Sequence, residues 1–101
     1  MPNTMKQAVR YGRDSLERSV KYASVNEREE AFAQLMKARH YVWEAEVAYV
    51  TALREEGLTW REVSEVCQKP HPWAWEQYAR AVKDLQMFRA MERAGTSDAD
   101  S

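Results

Sequence analysis

A chain of 101 residues, 45% hydrophobic and 31% charged, has room for one compact core and is too apolar to stay disordered. Its formal net charge of −1 excludes a strong overall attraction to phosphate, and its one cysteine, Cys67, excludes an internal disulfide or a CxxC metal clamp. No apolar run approaches the roughly 18 residues of a bilayer span and no charged-then-apolar leader opens the chain, so a cytoplasmic protein without a membrane partner is expected.

Three glycines and three prolines are few for a fold of strands and turns, while stretches rich in Ala, Glu, Arg, Met and Leu favour helix. The expected fold is all-α: a compact bundle of four helices, about 5–23, 27–56, 60–68 and 72–93, with one long central helix. Residues 1–94 form the expected single domain, and 95–101 a flexible acidic tail.

In the first helix Met5, Val9, Leu16, Val20 and Ala23 recur at helical spacing, with Gly12 at the missing step, and predict the buried face. Lys6, Arg10, Arg13 and Lys21 make the opposite side basic. Residues 1–25 carry five basic side chains against two acidic ones, so this stripe is either a solvated face or a phosphate contact.

Asn26 stands three residues before Glu29, the spacing of a capping box, and predicts the start of the second helix. Ala31, Leu35, Ala38, Val42, Ala45, Tyr49 and Ala52 then step by four and three. Every alternate member is alanine, so the Ala31/Ala38/Ala45/Ala52 seam admits a close helix neighbour, either within the chain or across a homodimer. A second stripe of Phe32, Met36, Trp43, Val50 and Leu53 is interrupted by Arg39 and Glu46. Those two charges suit either solvated packing of Arg39 along Trp43 or an ion pair that sets the register of a partner.

Thr59 and Glu62 form another capping-box match directly after Gly57, which predicts a third helix with Trp60, Val63, Val66 and Cys67 facing inward. Pro70 keeps Lys69 out of that helix, and Pro72 suits the first turn of the next. In the fourth helix Ala74, Tyr78, Ala81, Leu85 and Phe88 predict the buried stripe, flanked by Trp75 and Val82. Trp73 is expected on the outer side with Gln77, Arg80 and Asp84. Two short helical patterns meeting at a break within 57–78 read as a helix-turn-helix.

The run Glu55-Glu56-Gly57-Leu58-Thr59-Trp60-Arg61-Glu62-Val63 resembles the short helix-turn-helix proteins of actinobacteria and their phages, in which a long helix ends in Gly-Leu-Ser/Thr-Trp before the motif begins. The likeness covers about Val47 to Tyr78. Those proteins continue with Leu-Gly-Val-Ser-Arg-Gln-Ala-Ala, whereas this chain has Cys67-Gln68-Lys69-Pro70-His71-Pro72-Trp73-Ala74. Gln68 then takes the place of the turn glycine, where a positive φ is strained for a side chain.

The resemblance implies binding to double-stranded DNA in a transcriptional or phage regulatory role. His71, Trp75, Glu76 and Gln77 would meet base edges, Lys69 and Arg80 would hold phosphates, and Arg10, Arg13 and Lys21 would add charge. Residues 57–78 carry two basic and three acidic side chains, a weak field for that task. The alternative is a protein-interaction module, including a phage-encoded inhibitor, that docks through Trp73 and Trp75. Cys67 and His71 lack the further ligands of a zinc site, and no phosphate loop, nucleophile elbow or paired acidic motif points to an enzyme or a cofactor.

Overall fold

The computed structural model describes residues 4–100, with side chains described through Gly95. The described residues form α1 (Met5–Ser24), α2 (Arg28–Glu55), α3 (Trp60–Val66) and α4 (Trp73–Asp100), with no strand among them. The protein is all-α. Its helices fall into two compact units, Met1–Glu46 and Val47–Ser101, so α2 contributes to both. Helix α4 continues beyond the expected end near residue 93. Ser101, the last residue of the expected tail, lies outside the described residues.

The first three helix ends share one chemistry. Asn26, Gly57 and Gln68 have φ of 63°, 102° and 58°. At each, the following amide reaches back to the carbonyl five residues earlier: Glu27 to Tyr22, Leu58 to Leu53 and Lys69 to Ser64, at 2.8, 3.2 and 3.0 Å. These left-handed closures satisfy carbonyls that the helix leaves without a partner and reverse the chain in few residues. Asn26 therefore closes α1, and the capping box expected with Glu29 is not its role. Its Oδ1 instead accepts a hydrogen bond from Arg28 Nε at 3.2 Å.

In the first unit α1 buries Ala8, Gly12, Ser15 and Ser19. This corrects the expected face: Met5, Val9, Leu16 and Val20 are exposed, Val20 to 69%. The reason is distance. Small side chains let the α1 backbone close on α2 until a Cβ built on Gly12 would lie 3.3 Å from Tyr41 Cβ. On α2 the matching buried positions are Gln34, Ala38 and Ala45, with Glu44 beside them, and the Tyr11 and Tyr41 rings meet at 5.6 Å. Ala38 and Ala45 are thus buried within the chain, while Ala31 is half-buried and Ala52 exposed, so only part of the alanine seam is covered within the chain. The residues expected to fill in beside it, Leu35, Val42 and Tyr49, are exposed, as are Phe32 and Met36.

In the second unit the core comprises Val47, Val50 and Leu53 of α2, Val63 of α3, and Ala74, Tyr78, Val82 and Leu85 of α4. Thr51 is also sealed in, its hydroxyl donating to the Val47 carbonyl at 2.7 Å. Arg54 clamps the link to α3: one guanidinium nitrogen donates to the Leu58 carbonyl at 2.7 Å, and the group lies 4.8 Å from the centre of the Trp60 ring. Arg89 of α4 lies 3.7 Å from the Glu55 carboxylate at the end of α2.

Candidate functional site

Helix α3 starts where its sequence says it should. Thr59 Oγ1 accepts the Glu62 amide at 3.2 Å while Glu62 Oε1 accepts the Thr59 amide at 3.1 Å, so two otherwise orphaned donors are satisfied reciprocally. The Thr59 hydroxyl donates to the same carboxylate oxygen at 3.0 Å. The Thr59 amide first, and its hydroxyl second, hold the Glu62 carboxyl below its ordinary value. Helix α3 is short and buries only Val63 and Ser64; Val66, expected inside, is 51% exposed, and Cys67 is half-buried.

The next helix begins on a cap borrowed from α3. Ser64 is sealed from solvent, and its Oγ accepts the buried Ala74 amide at 3.0 Å. Pro70 and Pro72 add to this start, their carbonyls accepting the Trp73 and Glu76 amides at 2.9 and 3.1 Å, and the His71–Pro72 peptide is cis. Pro72 cannot donate an amide hydrogen, so it loses nothing at a helix entrance. The direction of α4 is therefore tied to α3 through a side chain in the core.

This arrangement brings most of the expected site residues onto one exposed edge. Lys69, His71, Trp75, Glu76, Gln77 and Arg80 are all exposed around the turn and the first turns of α4. Of the two indoles, Trp75 keeps its expected place on the flank, whereas Trp73, expected on the outer side, is partly covered. Trp73 is half-buried, edge-on to Tyr78 at 5.7 Å, with Lys69 Nζ 5.5 Å from its ring centre, whereas Trp75 is 54% exposed. Trp73 lies beside the capped turn, where its ring covers Tyr78. Trp75 lies just past the edge of the Ala74–Tyr78–Val82–Leu85 stripe, where the core ends.

Lys83 lies beyond the turn pattern. It follows Glu76 and Arg80 at offsets of seven and three, and all three are exposed along the outer side of α4. Arg10, Arg13 and Lys21 are exposed on α1, in the first unit. Among the described residues no group of three or more His, Cys, Asp or Glu side chains is placed to hold a metal ion. No described helix is long and apolar enough to cross a membrane. No protein-family model, curated protein or solved structure matches this chain.

Proposed function

We propose that this chain is a DNA-binding helix-turn-helix protein with a regulatory, non-catalytic role in the cytoplasm, in which α3 supports and the leading end of α4 reads. The supporting observation is the outward edge of α4 carrying Glu76, Gln77, Arg80 and Lys83, set at a defined angle by the bond from Ala74 to Ser64. The likeness of Glu55–Val63 to actinobacterial helix-turn-helix proteins supports the same reading. In a major groove Gln77 suits adenine and Glu76 accepts from cytosine, with His71 and Trp75 beside them, while Lys69, Arg80 and Lys83 meet phosphates. Self-association belongs to this reading, because helix-turn-helix proteins commonly read paired half-sites as dimers.

Selection from random duplexes followed by a salt titration tests it. Three phosphate contacts predict a slope of log affinity against log salt of about −3, shallower than that of strongly basic regulators. Arg80→Ala should weaken all sequences alike, and Gln77→Ala should relax one position by about 1–3 kcal/mol. Absence of binding to any duplex at low ionic strength rejects the proposal.

The exposed Trp75 favours one second reading, a protein partner that covers this indole. A blue shift of tryptophan emission with a protein ligand and none with DNA would select it.

A further inference from the structure

We propose that the hairpin of α1 and the first part of α2 pairs with a second copy of itself about a two-fold axis perpendicular to the helices. In the resulting four-helix assembly α1 faces α1 and α2 faces α2, each antiparallel. The inference deepens the self-association named above and is independent of whether DNA is bound.

The first observation is an open apolar face. On α1 the stripe of Met5, Val9, Leu16 and Val20 is turned roughly 80° from the buried seam at 100° per residue. On α2 Leu35 and Val42 are turned by a similar angle, in the same sense, from Gln34, Ala38 and Ala45. Because the two helices run in opposite directions, equal rotations bring both stripes to the same side of the hairpin. A two-helix layer with one contiguous apolar side lacks the second layer that such a surface normally packs against.

The second observation identifies the missing layer as another copy. Met5 and Val20, and likewise Val9 and Leu16, are placed symmetrically about a point between Gly12 and Arg13. Arg39 and Glu46, both exposed on the apolar side of α2, are symmetric about a point between Val42 and Trp43. Antiparallel pairing therefore sets Met5 against Val20, Val9 against Leu16 and Arg39 against Glu46, each twice. The Gly12–Tyr41 contact places the two centres within about 3 Å along the helices at 1.5 Å per residue. A two-fold interface requires that when one residue meets another, the reverse contact also forms. The apolar stripe of α1 and the Arg39–Glu46 charges of α2 meet that condition at nearly one level, a coincidence that an unrelated partner gives no reason for.

Sedimentation equilibrium of the full chain tests the proposal. The wild type should be a dimer, and Leu16→Glu or Val42→Glu should each give a monomer with unchanged helical circular dichroism. Should either fail to fold, the milder Met5→Gln and Val20→Gln at exposed positions supply the same readout. Arg39→Glu or Glu46→Arg alone should weaken dimerisation by about tenfold, and the double exchange should restore it. A monomeric wild type, a dimer indifferent to the apolar substitutions, or single exchanges that the double exchange does not rescue would each overturn the assignment. A dimer that shows these responses but binds no duplex would stand while the DNA reading falls.

Discussion

The Ser64 hydroxyl on α3 accepts the Ala74 amide in the first turn of α4 at 3.0 Å, and both residues are buried. One hydrogen bond thus caps one helix and fixes its angle to another. Ser64→Ala removes the cap and leaves a buried amide without its acceptor, so urea unfolding should show a loss of about 1–3 kcal/mol. If DNA is the ligand, the variant should also lose affinity while still folded, because the reading edge is no longer held at one angle.

Gln68 adopts a φ of 58° to close α3, a conformation that costs a side chain about 1–2 kcal/mol relative to glycine. Part of that difference is offset by the greater freedom of glycine in the unfolded chain. Gln68→Gly should therefore raise stability by about 1 kcal/mol, and the β-branched Gln68→Val should lower it. Paired thermal melts of the two variants check the opposite signs.

The pH response of the α3 cap follows from Glu62. Its carboxyl is held below the ordinary value of 4.5 in the folded protein by the Thr59 amide and hydroxyl. A lowered folded value means that the cap stabilises fully above the ordinary value and loses that contribution as pH falls through the folded one. Wild type should therefore exceed Glu62→Gln in stability at neutral pH, and the gap should close in acid. Urea melts across that range measure it.

Ser15 and Gly12 share the close seam but respond in opposite ways. Ser15 Oγ is buried with no hydrogen-bond partner among the described residues, so Ser15→Ala should stabilise by about 1 kcal/mol. Gly12→Leu forces a large side chain against Tyr41 Cβ and the Ala38 carbonyl, and calorimetry should show a loss of about 2 kcal/mol or more.

Local signals were legible where neighbouring residues complete them. The Thr59–Glu62 box, the Gly57 stop and the break at Pro70 and Pro72 each depend on groups a few residues apart, and each lies where the pattern placed it. Asn26 misled because two local readings competed. Its side chain suits a helix start, but its tolerance of left-handed backbone made it the end of α1.

The faces were not legible. Periodicity marks every apolar stripe without saying whether large or small residues turn inward, and on α1 the small ones did. Of the site, the exposure of Lys69, His71, Trp75, Glu76, Gln77 and Arg80 was legible, but the partial burial of Trp73 and the alignment of Lys83 with Glu76 and Arg80 were not.

By itself, the amino-acid sequence determined the helical class, the number of helices and nearly all their ends, since caps, prolines and left-handed closures act over a few residues. Only the tertiary structure decided that Ala8, Gly12, Ser15 and Ser19 meet α2 while Met5, Val9, Leu16 and Val20 face out. It also decided that Ser64 caps a helix ten residues away. Both outcomes depend on how closely two backbones can approach, a property of the pair that neither segment carries alone.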